Sequence, residues 1–371
     1  MAVRVPVVPA TLAWARQALH VSLDDLARAA GTKPAQVAAW EAGDQQPTMN
    51  QLRSTAKRLD RTVAFFFLPP PEQVDIPRAP DFRGRDEDAE QSPGVLRELK
   101  RAEGRRQNYL DVVGLQDAPF ALPEFTWSTI PQRTAELRRA LAPLLPEATH
   151  TPGLNDWIAA LESFGVLVFQ SSGVALAEFR AVSVFHERLP FVVLNGADSQ
   201  TARIFSLFHE VGHLANRTGG VCLTLETTEQ EILCNRFSAE FLMPRDRVLS
   251  VVRRSQPGDL VGDVERHFGV SSLAAAVRLR ALDLISDDAL EAVRRASDAR
   301  WAEERRRQAD REGFAPQWQL AYRNLGQKYM RGVLHALEDS RIDRLDASYL
   351  LDARVPMVEK LLSEMDRRGE L

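Results

Sequence analysis

The chain has 371 residues, 44% hydrophobic and 26% charged, which is enough for about two to three domains with real apolar cores. A net charge of −4 argues against a whole-chain nucleic-acid binder, and two cysteines, Cys222 and Cys234, argue against a disulfide scaffold and fit a reducing compartment. The apolar run at residues 63–68 is far too short to span a membrane, so the expectation is a soluble cytoplasmic protein.

Residues 1–68 read as a compact helical module. Leu12-Ala13-x-x-Arg16-x-Ala18-Leu19 has helical spacing. Ser22 is placed to cap a second helix carrying Leu23, Leu26, Ala27 and Ala30, with Asp24 and Asp25 in the first turn where the helix dipole favours acids. Gly31 makes a turn, Thr32 is the expected cap of a third helix with Val37 and Trp40 on its apolar face, and Gly43 stops it. Pro47-Thr48 opens a fourth helix through Leu52, Ala56 and Leu59. The run Leu23-x-x-Leu26-Ala27-x-x-Ala30-Gly31, then Val37-x-x-Trp40-Glu41-x-Gly43-x-x-x-Pro47-Thr48, closely resembles the XRE/Cro-type helix-turn-helix domain.

That resemblance implies a third helix presented to the major groove. Lys33 is then a candidate phosphate contact and Gln36 a candidate reader of an adenine edge. Arg53, Lys57, Arg58 and Arg61 supply positive charge on the fourth helix, for phosphates or as a solvated face. Pro34, Ala38 and Ala39 stand where many relatives have basic or hydroxyl residues, so docking onto another helix-turn-helix protein, or dimerisation, competes with DNA binding.

Residues 69–93 read as a linker, opened by Pro69-Pro70-Pro71 and carrying the acidic run Asp86-Glu87-Asp88-Ala89-Glu90. Residues 94–150 read as a helical connector, with Leu96, Leu99, Tyr109, Val112 and Val113 on one long helix. Within residues 151–285 a helix near Trp157 precedes three strands, at 166–169, 179–185 and 191–194; the middle one alternates, which suggests one wet face. A small sheet of this kind could lend an edge to an extended peptide.

His209-Glu210-Val211-Gly212-His213 lies in an otherwise apolar helical segment. Residues four apart share a helix face, so His209 and His213 can point two imidazoles at one metal ion, and Glu210 is placed to take a proton from an attacking water. A catalytic zinc needs a third protein ligand. Glu229, Glu231 and Glu240 compete on the next helical stripe, which Pro244 ends. Glu231 is preferred, since it shares a face with Asn235, which could support a histidine from behind. Glu229 reads as solvated, Glu240 as a surface or helix-packing residue, and Cys234 as a small core cysteine. Arg180, His186 and Arg203 are weaker candidates for steadying an oxyanion, each with a plainer structural reading.

Val193-Leu194-Asn195, then Arg203 through His213, then Glu231-x-x-x-Asn235-x-Phe237-x-Ala239-x-x-Leu242-Met243-Pro244, resemble the ImmA/IrrE metallopeptidases over residues 154–283. The family resemblance implies a zinc endopeptidase of gluzincin type, one zinc ion per chain, with His209, His213 and Glu231 as ligands and Glu210 as general base. It also implies a protein substrate, a helix-turn-helix repressor, in stress response or mobile-element control. Phe208 stands where many relatives have alanine, which could narrow the site. The overall expectation is an α+β, mostly helical chain: an all-α helix-turn-helix domain, a central metallopeptidase domain with a small sheet, and a C-terminal helical region at 286–371. That last region, in long relatives, is a candidate partner-binding tail. The competing function is a non-catalytic XRE-type regulator, or the antitoxin of a PIN-type nuclease toxin. The partners so implied are a repressor substrate, a DNA operator, a cognate toxin and a second copy of the chain.

Overall fold

Helix caps lay out the first part of the chain. The computed structural model describes residues 4–72, 76–77, 91–114, 121–146, 151–218, 221–222, 228–254, 259–309, 316–367 and 369. They form two compact units, one ending at residue 104 and the other running from residue 105. In the first, α1 (Pro9–Ala18), α2 (Leu23–Ala30), α3 (Pro34–Ala42) and α4 (Met49–Arg58) follow the expected order. The Ser22 hydroxyl accepts from the Asp25 amide at 3.0 Å, and Gly31 ends α2 at φ 64°, a left-handed turn that a side chain would strain. Thr48 and Gln51 form a reciprocal capping box on α4.

One cap differs from expectation. Lys33, not Thr32, occupies the cap position of α3, and the Thr32 hydroxyl donates to the Gln36 side chain. Pro34 is the reason: at the first helical position it pre-sets φ and has no N–H to be capped. Trp40 is fully buried with Leu12, Leu26, Val37, Leu52 and Leu59, so it belongs to the core. Arg16 on α1 clasps Glu41 on α3 through two hydrogen bonds of 2.7 and 3.0 Å. α5 (Pro93–Val113) contributes Lys100 and Arg101 to this unit, both paired with Asp60. The connector motif at 77–83 and the acidic run at 86–90 lie outside the described residues, apart from Pro77.

The second unit is built round a small sheet. After α6 (Ile130–Leu141) and α7 (Leu154–Ser163) come β1 (Leu167–Ser171), β2 (Ala181–Val184), β3 (Phe191–Asn195), α8 (Gln200–Ala215), β4 (Val221–Cys222) and α9 (Glu229–Leu242). The strand order is β1-β3-β2-β4, with β1 parallel to β3 and the other two pairings antiparallel. A fourth, two-residue strand therefore joins the three expected, and β1 and β4 are the edges. All four residues of β2 are buried, so its alternation does not mark a wet face. α8 packs across the sheet, and the polar position, Ser183, acts on the Glu210 carboxyl instead of meeting water. The Asn195 amide donates to the carbonyls of Val174 and Phe179 at 3.1 and 3.0 Å, holding the chain at the end of β3 just before α8 begins.

α10 (Arg245–Val252), α11 (Leu260–Phe268) and α12 (Ser272–Ala281) enclose a separate apolar cluster around Val248, Val264 and Leu279. Arg278 on α12 reaches back to α9, where it pairs with Glu240 and donates to the Met243 carbonyl at 2.9 Å. The charged segment forms α13 (Asp287–Ala309), and α14 (Gln317–Leu325), α15 (Gln327–Glu338), α16 (Arg344–Leu350) and α17 (Val355–Arg367) complete the C-terminal region. The corner between α14 and α15 is seated on the sheet. Gly326, at φ 75°, abuts the Val168 carbonyl of β1, where a side chain would collide, and Glu162 of α7 accepts the Lys328 amide at 2.9 Å.

Candidate metal centre

Ser199 caps α8, its hydroxyl accepting from the Ala202 amide at 3.2 Å, and the helix then runs 16 residues with its second half entirely buried. A helical repeat of 3.6 residues sets His209 and His213 one turn apart on one face. Their Nε2 atoms are 3.1 Å from each other. Glu231, in the first turn of α9, brings one oxygen to each imidazole: Oε2 is 3.1 Å from His209 Nε2 and Oε1 is 3.0 Å from His213 Nε2. All three residues are fully buried, and their ligating atoms lie within 4.8 Å of one another.

What lets α9 come this close is Gly212. A β-carbon there would stand 3.3 Å from Cys234 Sγ, tighter than most packed contacts, and 3.5 Å from Cys234 Cα. A glycine on α8 and a small cysteine on α9 thus pack directly against each other. Cys234 is free and fully buried, and burial raises its thiol pKa well above the ordinary value, as expected of a core residue. Phe208 turns into the core, stacked 3.9 Å from Phe241 and edge-on to Trp157.

The charges are arranged for a cation. Burial works against ionisation of Glu231, but hydrogen bonds and positive field from the two histidines outweigh it and hold its pKa down at about 2. Burial likewise disfavours a charged His209, yet the Glu231 hydrogen bond, the charges of Glu210 and Glu231, and Asn235 carry its pKa above the usual value. Atoms bound tetrahedrally at 2.0–2.1 Å to one ion stand roughly 3.3 Å apart, so the three donors are already spaced as such ligands would be.

Glu210 is also fully buried. Among the described residues neither of its oxygens has a partner at normal hydrogen-bond geometry, although Ser183 acts on it more loosely. Burial raises its pKa, with His213 and His209 offsetting part of the effect. A carboxyl group enclosed beside two imidazoles and a second carboxylate, and left unsatisfied among the described residues, fits a site able to take up a metal and water.

Two supporting side chains differ in how legible they were. Thr218, which the motif reading missed, places its hydroxyl 3.1 Å from His213 Nδ1 and so holds the ring with Nε2 towards Glu231. Its signal in the sequence is only that it follows the end of α8. Asn235 is one turn beyond Glu231 beside His209, but its Oδ1 and His209 Nδ1 both lack a partner at normal geometry among the described residues. Glu229 is exposed and meets Trp127 Nε1 at 3.4 Å, while Glu240 is buried in helix packing against Arg278. Arg180 pairs with Asp198 at 2.8 Å and Arg203 donates to Gln170.

In the first unit, Lys33, Arg53 and Lys57 are exposed, and Gln36 is half-buried with its side chain engaged by Thr32 and by Gln45 at 3.4 Å.

Two family models match the chain. A peptidase family model described as the IrrE N-terminal-like domain matches residues 161–280, which span the sheet, α8 and α9. A model described as helix-turn-helix matches residues 12–66. No curated protein matches. The chain thus carries, in this order, a segment similar to helix-turn-helix domains and a segment similar to IrrE-type peptidase domains. Among the described residues no helix is long and apolar enough to cross a membrane.

Proposed function

We propose that this fusion is a zinc-dependent endopeptidase that cleaves a regulatory protein, a helix-turn-helix repressor, in stress response or mobile-element control. The observation that carries the reading is the convergence of His209, His213 and Glu231 beside a buried, unsatisfied Glu210. Two imidazoles and a carboxylate suit zinc better than a hard oxygen-seeking cation. When bound, zinc would act as a Lewis acid towards the scissile carbonyl and make water more acidic. Glu210 would take the proton of the water that attacks that carbonyl carbon. As the C–N bond breaks, the same carboxyl would return the proton to the leaving amine. Asn235 and Thr218 would orient the two rings. Of the two edge strands, β1 is met by the α14–α15 corner, so β4 is the edge we assign to an extended substrate.

In this reading residues 1–68 are the targeting module, 69–93 a linker, 94–150 a helical connector, 151–285 the catalytic domain and 286–371 a partner-binding region. Lys33, Gln36, Arg53 and Lys57 would meet DNA, with the cytoplasm as the setting. The test is metal content by mass spectrometry, followed by a search for a cleaved repressor. We expect about one zinc per chain, lost in H213A, and cleavage abolished in zinc-loaded E210Q. A folded protein that takes up no zinc would move the reading to a non-catalytic regulator or antitoxin. So would a phenotype that E210Q leaves intact.

A further inference from the structure

A cationic cavity of about 380 Å³ lies in the second unit between β1, α7, the start of α8 and α14. Its lining includes Asn155, Gln200, Arg203, Trp318, Tyr322 and Arg323. Two guanidinium groups from distant parts of the chain therefore share one opening, and they feel each other's charge. Neither has a carboxylate partner within ion-pair distance among the described residues. Arg203 donates to the Gln170 amide and its buried Nε has no partner. Arg323 donates to Ser172 Oγ at 2.6 Å and to Asn324 Oδ1 at 3.0 Å, all neutral groups. Asp198 acts on Arg203 only through its field, being bound to Arg180 at 2.8 Å and to the Ser199 amide at 2.9 Å. Burial lowers the pKa of both arginines, a mark of lost hydration that Asp198 offsets only in part for Arg203.

Two half-buried guanidiniums with no carboxylate in direct contact among the described residues favour an anion, and their planar forks match phosphate oxygens. The start of α8, with Gln200 in its first turn, adds the positive end of a 16-residue helix. Trp318 and Tyr322 supply flat apolar walls, and Asn155 and Gln200 supply amides that can donate or accept. The volume lies within the range of small-molecule sites, at the low end where a mononucleotide fits.

We propose that this cavity binds a small phosphorylated ligand bearing a flat ring, of nucleoside monophosphate size. The phosphate lies between Arg203 and Arg323, and the ring lies against Trp318 and Tyr322. The ligand would bridge α14 of the C-terminal region and α8, on which Arg203 stands six residues, about 9 Å along the axis, before His209.

The test is binding of AMP to the full-length protein by calorimetry and by tryptophan fluorescence, with adenosine as control. We expect AMP to bind, adenosine to bind at least tenfold more weakly, R323Q and R203Q each to weaken AMP at least tenfold, and W318F to lose the fluorescence change. Should R323Q fail to fold, R203K and R203Q carry the comparison, the lysine retaining most of the affinity that the glutamine loses. Absence of AMP binding overturns the proposal. So does adenosine binding as tightly as AMP, or AMP affinity unchanged in both arginine variants.

Discussion

Metal uptake should be coupled to a proton on His209, and the coupling should invert the pH dependence of stability. In the metal-free protein His209 has a raised pKa and Glu231 one held at about 2, so the two form a buried ion pair. The raised histidine contributes stability fully below about 6.5, its ordinary value, and loses it as pH rises through the folded pKa. The depressed glutamate contributes above about 4.5 and loses it as pH falls towards 2. The pair therefore helps the metal-free protein most between about pH 4.5 and 6.5. Zinc needs a neutral imidazole and must displace that proton. Below the folded pKa each pH unit costs a factor of ten in affinity, about 1.4 kcal/mol, whereas Glu231 stays ionised and adds no slope.

Suppose free zinc stands at 100 times Kd at pH 7.5, where it stabilises by about 2.7 kcal/mol. A fall of up to about a hundredfold in affinity by pH 5.5 leaves about 0.4 kcal/mol. In a unit of this size that takes a melting shift of roughly 5–10 °C down to about 1 °C. The assay is thermal unfolding at pH 5.5, 6.5 and 7.5, in chelator and in buffered zinc, with E231Q as control. Metal-free stability should decline above pH 6.5 while the zinc increment grows. An increment equal at pH 5.5 and 7.5, or largest in acid, would mean that zinc displaces no proton from His209.

Other perturbations test neighbouring contacts. Thr218→Val removes the hydroxyl on His213 Nδ1 and should weaken zinc binding about 10–100-fold with little loss of fold, read by competition with a chromogenic chelator. Arg278→Ala strands the buried Glu240 and should cost about 3–5 kcal/mol in denaturant unfolding; a cost under about 1 kcal/mol would mean the pair is effectively solvated. Glu162 is 2% exposed, and burial raises its pKa to about 7, the Lys328 amide only partly opposing this. Its proton is held in the folded state, so stability should fall by about 3 kcal/mol as pH rises from about 4.5 through 7. Glu162→Gln should flatten that slope, and an unchanged slope would reject the assignment.

Local rules explain what was legible in the chain. Caps at Ser22 and Thr48, left-handed turns at Gly31 and Gly43, and the apolar spacing around Trp40 depend on neighbours within a turn or two. The His209–His213 pair is legible for the same reason, since helix pitch alone puts both rings on one face. Choosing Glu231 among three glutamates needed only its phase relative to Asn235 on a helix whose existence was itself periodic. At β2, where expectation and structure part, the cause is a contact between distant segments. The alternation of β2 has the pattern of a wet strand, but α8 covers it and Ser183 meets Glu210. Thr218 was missed for a different reason: it is only five residues from His213, but no helical period extends past the end of α8 to place its hydroxyl on Nδ1.

The two modules, the histidine pair on α8 and the carboxylate opposite were readable from the sequence, because helical geometry and capping are set within a few residues. Tertiary structure alone decided how near α9 comes to α8 at the Gly212–Cys234 seam, that Glu240 belongs to Arg278, and that Arg203 and Arg323 open into one cavity. Those outcomes depend on side chains more than 20 residues apart settling into shared space, where volume, lost hydration and unpaired charge decide, and no local period records them.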